Sequence, residues 1–169
     1  MCDVSAFRDG MSLVATPVHL ITTDGAAGLG GCTASAVTSV TAEPPTLMVC
    51  LNESSSAAGL IQGNGCFNVN TLAADDEDLS EVFAGRAGVS GAERFRFGSW
   101  LNDEGECPIL LSALAVFRCR VAEVRKVSTH YLIMGEIFDV RQGRVRDALV
   151  YHNRSYRRTA ANIAVSMAA

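Results

Sequence analysis

The sequence predicts a mostly β chain: an antiparallel barrel or sandwich whose openings are covered by two or three short helices. Three observations lead there. Six or seven segments that are β-branched or alternate in polarity are separated by Gly, Pro, Asn and Asp, not by long helical stretches. No Gly-x-Gly-x-x-Gly turn follows the first strand, which weakens the reading as a parallel doubly wound sheet. The 169 residues are 49% apolar and 19% charged, enough to bury a core without metal or disulfides.

The elements follow in order. Ala6, Phe7, Met11 and Val14 recur near helical spacing, so a helix is expected from an N-cap at Ser5 until Pro17 stops it. Residues 18–23 and 29–37, separated by the Asp24-Gly25 turn, read as a hairpin. Pro44-Pro45 introduces Thr46–Leu51, apolar throughout and expected to be buried on both faces. Residues 57–62 read as a two-turn helix closed by Gly63-Asn64-Gly65, and Cys66–Leu72 as an alternating strand. The acids of Asp75-Asp-Glu-Asp78 complement the dipole of a second helix ending near Ala84, and read as a solvated helix start. Residues 85–108 are the least periodic part and are expected to form a loop or lid with one short strand. From Leu114 a strand alternates until it loses phase near Glu123, as a bulge would make it do; strands over 131–140 and 148–151 follow.

Several function classes are excluded. A net charge of −4 with Lys126 as the sole lysine argues against a nucleic-acid surface. No apolar run reaches the roughly 18 residues of a membrane span, and Met1-Cys2-Asp3-Val4 has no basic start before an apolar stretch, so a cytoplasmic protein without a membrane partner is expected. The six cysteines form no Cys-x-x-Cys pair and mostly sit in apolar runs, so they read as free buried thiols; His19, His130 and His152 lack zinc-ligand spacing, and no metal is expected.

What remains is one dense segment, from Gly31 to Leu47, followed by Asn52-Glu53-Ser54-Ser55-Ser56. Small side chains and hydroxyls let a flat ligand approach the main chain, and serines at a helix N-terminus suit an anion. A planar ring with a phosphate tail fits both. An ordinary barrel hairpin and a simple helix cap fit the residues too.

Thr33-Ala-Ser-Ala-Val37, Ser39-Val-Thr41, Pro44-Pro-Thr-Leu47, Val49-Cys-Leu-Asn52, Phe67-Asn-Val-Asn-Thr-Leu72, Phe83-Ala-Gly85, Glu93-Arg-Phe95, Thr129-His130, Gly135-Glu136 and Leu149-Val-Tyr-His-Asn-Arg-Ser-Tyr156 resemble, in order, the short-chain flavin reductase family. Within it the chain is most similar to the reductase components of 4-hydroxyphenylacetate 3-monooxygenase, and similar also to reductases of the pyrimidine-degradation monooxygenase and of cobalamin precursors. The resemblance covers about residues 5–157, with a tail over 158–169, and the whole chain reads as one domain. It implies an FMN-binding split β-barrel of Greek-key type, a homodimer that passes hydride from NADH or NADPH to FMN or FAD and feeds a separate oxygenase by diffusion of reduced flavin. Reduction of a corrin or ferric complex, and flavin or haem binding without turnover, stand as alternatives.

Carried over by residue, the resemblance places Thr33, Ala34, Ser35, Ala36, Val37 and Ser39 along the flavin ring, mostly through main-chain groups. It places Asn52, Glu53, Ser54, Ser55 and Ser56 at the ribityl chain and phosphate. Phe83, Ala84 and Arg86 would close over the phosphate side, His130 would face the nicotinamide, and Arg154 and Tyr156 would border the same pocket. Two departures, Ser128 where the family commonly has Gly or Asp and the longer Gly105-Glu-Cys-Pro108 turn, lie near the expected nicotinamide side.

Overall fold

A computed structural model describes residues 3–103 and 105–159. Helix α1 (Val4–Ser12) is followed by β1 (Thr16–Pro17), β2 (His19–Thr23), β3 (Gly30–Ala34), β4 (Val37–Ala42) and β5 (Pro45–Asn52). Helix α2 (Ser56–Asn64) precedes β6 (Cys66–Thr71), and a single 3-10 turn (Ala74–Asp76) leads into α3 (Glu77–Phe83). After a second 3-10 segment (Gly91–Arg96) come β7 (Trp100–Leu101), β8 (Ile109–Leu110), β9 (Ala115–Val127), β10 (His130–Gln142), β11 (Leu149–His152) and β12 (Ser155–Arg158).

Seven strands form one sheet in the order β3-β2-β6-β9-β10-β5-β4, with every neighbour antiparallel. Laid flat, six inter-strand gaps would hold the edges about 29 Å apart. Yet the two edge strands, β3 and β4, are joined by Ser35 and Ala36 alone, and three Cα steps span at most about 11 Å. The sheet must therefore curl until its edges meet at this link, giving a barrel left open along the seam between β3 and β4.

Ile21, Leu47, Val49, Leu51, Phe67, Val69, Cys119 and Ile133 fill the interior. Leu20, Leu72, Leu79, Phe83, Leu110, Val116 and Leu149 form a second cluster outside the sheet, beneath α3 and the β7–β8 hairpin. Strands β2 and β6 are thus covered on both faces. Their polar residues survive burial by hydrogen bonding: Asn70 donates to the Leu20 carbonyl and accepts from the Leu110 amide, and Asn68 donates to the Cys107 and Pro108 carbonyls.

Several sequence expectations are met. The first hairpin forms as β2–β3, and α2 ends on left-handed Gly65, whose amide bonds the Ile61 carbonyl at 2.9 Å. Opposite Met134 and Gly135, pairing jumps from Glu123 to Val121, so Ala122 is the extra residue of the expected bulge. Others are corrected. Asp3, not Ser5, caps α1 by accepting from the Ala6 amide. Strand β5 buries only Leu47, Val49 and Leu51, leaving Met48 and Cys50 half-exposed on the outer face. Residues 85–108 hold the expected short strand, β7, but Phe95 and Trp100 pack against the buried Phe83 ring at 5.1 and 5.5 Å, so this part covers a core. The unexpected β12 forms because Asn153 and Arg154 adopt φ of 48° and 59°, the two-residue turn that twists as strands do. Cys2 and residues 160–169 of the expected tail lie outside the described residues.

Candidate active site

The seam organises the site. Edge strand β3 is paired only with β2, and its side chains alternate between two helices. Toward α3, Thr33 donates its hydroxyl to the Ser80 carbonyl at 2.6 Å, and a Cβ on Gly31 would come within 3.0 Å of the Phe83 ring. Toward α2, a Cβ on Gly30 would strike Leu60 at 2.3 Å, and the Cys32 thiol meets the Ser55 hydroxyl. Burial pushes the Cys32 thiol up to about 11, against the opposing pull of Ser55 and Arg94.

On the α3 side lies a cavity of about 200 Å³ lined by Val18, Thr33, Ala34, Ser35, Ala84, Arg86, Tyr151 and Tyr156. Its wall is a chain of polar contacts. Ser80 Oγ and the Tyr156 hydroxyl are 2.8 Å apart, and Tyr156 stacks edge-on against Tyr151, its direct partner across β11–β12. Arg86 pairs with Glu81 at 2.7 Å and bonds Tyr151; the Tyr151 hydroxyl and the Glu81 carboxylate raise its pKa. Burial raises that of Tyr156. Arg86, the hydroxyls of Thr33, Ser35, Tyr151 and Tyr156, and the small Ala34 and Ala84 line the cavity together and suit an anionic ligand.

Thr33, Ala34, Ser35, Ala84, Arg86 and Tyr156 share the cavity. Ala36 and Val37 carry the seam onward, with the Ala36 carbonyl accepting from the Cys50 amide. Ser39 is exposed on β4 opposite Leu47 and does not line the cavity. Asn52, Glu53, Ser54, Ser55 and Ser56 form the entry to α2: Asn52 Oδ1 accepts from the Ser54 amide, and Ser55 stands at the N-cap without a side-chain cap bond.

His130 is exposed and in register with Asn52. Its Nδ1 lies 3.1 Å from the Thr129 hydroxyl, whose residue accepts the Glu53 amide, while Glu53 pairs with Lys126. His130 therefore belongs to the α2 entry and the β9–β10 turn, not to the cavity wall. In that turn Ser128 holds a φ of 52°, the left-handed state that a glycine adopts freely.

Two expected residues stand elsewhere. Phe83 is 1% exposed and enclosed by Phe95 and Trp100, so it packs under β3 and presents no surface to a ligand. Arg154 sits in the β11–β12 turn and pairs with Asp9, fastening α1 to that hairpin. Three residues went unassigned in the sequence: Val18 and Tyr151 in the cavity, and Arg94. Arg94 Nη1 donates to the Gly31 carbonyl at 3.0 Å, on the edge of β3 that β2 leaves free, and its charge reaches Cys32. The Glu93-Arg94-Phe95 segment was the available signal.

A flavin reductase like domain model matches residues 11–160. A relative from Ancylobacter novellus named FMN reductase (NADH) RutF is 45% identical over 150 residues, covering 89% of this chain and 82% of its own. A crystal structure from Haemophilus somnus 129PT superposes with TM-score 0.87 at 41% identity, covering 94% of this chain and all of that one. BorF, the flavin reductase component of a bacterial two-component tryptophan halogenase, gives TM-score 0.86 at 28% identity over 95% of this chain and all of its own. Its strands curl into the split barrel of these structures, and the chain belongs to the flavin reductase like domain family.

Proposed function

We propose that the chain reduces free FMN with NADH and releases the reduced flavin to a separate oxygenase. The observation that supports this most is the joining, along one strand edge, of a 200 Å³ cavity carrying Arg86 with the α2 entry and Arg94. These residues fit a flavin nucleotide. The open edge of β3 offers main-chain groups to a ring, Ala34 and Ser35 leave room for it, and Arg86, Arg94 and the serines of α2 supply donors for a phosphate. The names of the curated relatives favour FMN and NADH as the pair.

When bound, a flavin would supply the hydride-accepting chemistry, so no side chain need act as nucleophile. The chain's residues orient and screen. Main-chain donors of the β3–β4 link would stabilise charge on a bound ring, Thr33, Ser80 and Tyr156 would hold the cavity wall in place, and His130 would bind the nicotinamide nucleotide. The oxygenase served is the finer part of the proposal: the resemblance points to the 4-hydroxyphenylacetate 3-monooxygenase type, and the BorF match supports a two-component arrangement.

We also propose a homodimer. Met48, Cys50, Leu132 and Met134 pair in register on the outer face of β5–β10 and are half-buried apolar groups, the kind of surface a second copy covers. Sedimentation at micromolar concentration tests this, and a monomer would refute it. The activity is tested by loss of absorbance at 340 nm with NADH and excess FMN. Rapid loss is expected, whereas loss only after a corrin or ferric chelate is added, or none, would favour the alternatives.

A further inference from the structure

Away from the seam, Cys66 opens β6 and Cys107 precedes Pro108 in the β7–β8 connection; their sulfurs are 3.3 Å apart, with Cys107 donating toward Cys66. Both line a second cavity of about 140 Å³, together with Asn68, Arg118, Cys119, Arg120 and Phe138. We propose that Cys66 and Cys107 form a peroxide-reactive dithiol that closes to a disulfide.

The segment that carries Cys107 is tied to the strands beside Cys66. Asn68 donates to the Cys107 carbonyl at 2.7 Å and Thr22 to the Pro108 carbonyl at 2.6 Å, which keeps the two sulfurs beside one another. A bond requires the sulfurs to close to about 2.05 Å. The partners differ in access, which sets the order of events. Cys66 is half-buried and Cys107 is 7% exposed; burial pushes the Cys107 thiol up to about 12 and keeps it protonated. The cavity exceeds the share of several waters, roughly 30 Å³ each, so peroxide has room to reach Cys66.

The Cys66 sulfur attacks one oxygen of hydrogen peroxide, the O–O bond breaks, and the departing hydroxide leaves as water with the thiol proton. Cys66 is then a sulfenic acid. Cys107 attacks that sulfur, the S–S bond forms as the S–O bond breaks, and a second water carries away the Cys107 proton. Two thiols have lost two electrons and one peroxide has become two waters. The oxidant is at hand if the proposed activity holds, because reduced flavin released into aerated solution reduces oxygen to hydrogen peroxide. Cytosolic disulfides are chiefly of this reversible, sensing kind.

The test treats the purified protein with a small excess of hydrogen peroxide, alkylates free thiols and maps peptides by mass spectrometry without reductant. A Cys66–Cys107 link, lighter by two hydrogens and reversed by dithiothreitol, is expected. In Cys107→Ser the reaction should stop at a Cys66 sulfenic acid that dimedone captures. Both thiols remaining free in the wild-type protein, or a Cys107–Cys119 link in place of the expected one, would overturn the proposal. A parallel sample given NADH, FMN and air should form the same link, and catalase should prevent it. If the link forms with added peroxide but not under turnover, the dithiol stands and the proposed reductase activity has failed.

Discussion

The hydroxyl of Thr33 donates to the main-chain carbonyl of Ser80 at 2.6 Å, fastening the edge strand of the seam to helix α3. Because Ser80 Oγ in turn meets the Tyr156 hydroxyl, strand, helix and terminal hairpin form a single wall. Thr33→Val keeps the branched shape and removes the donor, and Tyr156→Phe removes the other end. Each should lower stability by about 1 kcal/mol and raise the KM for FMN several-fold while kcat changes little. Urea unfolding and steady-state kinetics measure the two effects; a fall in kcat at unchanged KM would show that the wall acts on chemistry, not on binding.

Arg94 bridges the free edge of β3 and the surroundings of Cys32 and Ser55. Loss of one charge-assisted contact to a phosphate costs about 1.5–3 kcal/mol, so Arg94→Ala should weaken FMN binding by roughly one to two orders of magnitude. Riboflavin, which lacks the phosphate, should lose far less. Equal losses for both flavins would assign Arg94 a purely structural part.

His130 stands apart from the cavity, beside Asn52 and Thr129. His130→Ala is expected to raise the KM for NADH about tenfold, near 1.4 kcal/mol, and to leave the KM for FMN as it was. If both constants stay at wild-type values, the nicotinamide role is wrong.

His19 carries a pH prediction. It is 6% exposed in β2, its Nδ1 lies 3.2 Å from the Thr71 hydroxyl, and burial lowers its pKa from 6.5 to about 4. Between those values the unfolded chain takes up a proton that the folded protein refuses. Stability is thus full above about pH 6.5 and declines as the pH falls through 4, by roughly 3 kcal/mol for this residue. His19→Asn, which keeps a partner for Thr71, should flatten the thermal midpoint across pH 4–6.5 relative to wild type. A midpoint that falls equally in both proteins would place the acid sensitivity elsewhere.

The local pattern was enough for whatever is decided within a few residues. Gly65 closing α2, the Asp24-Gly25 hairpin and the lost phase near Glu123 were legible because caps, turns and bulges leave their own residue types or a break in alternation. Of the small, hydroxyl-rich run from Thr33 to Ser39 that the sequence singles out, Thr33, Ala34 and Ser35 line the cavity and Ser39 does not. Misreadings came where one segment depends on another. The apolar run of β5 gave no sign that Met48 and Cys50 face outward, and Phe83, which the resemblance places over a phosphate, is enclosed instead by Phe95 and Trp100.

Taken alone, the sequence determined a mostly β chain and its family, and it marked the run from Thr33 to Ser39 as the segment expected to meet a flavin. Only the tertiary structure decided which side chains meet there. Two linking residues force the sheet edges together, while the docking of α3 on β3 through Thr33 and Ser80 and the pairing of β11 with β1 in a separate three-stranded sheet gather Val18, Ala84, Arg86, Tyr151 and Tyr156 around Thr33 and Ala34, and a hairpin turn carries Arg154 away to Asp9. The reason is that side-chain direction repeats every two residues in a strand and can be read locally, whereas the partner across a barrel seam is set by the path of the whole sheet.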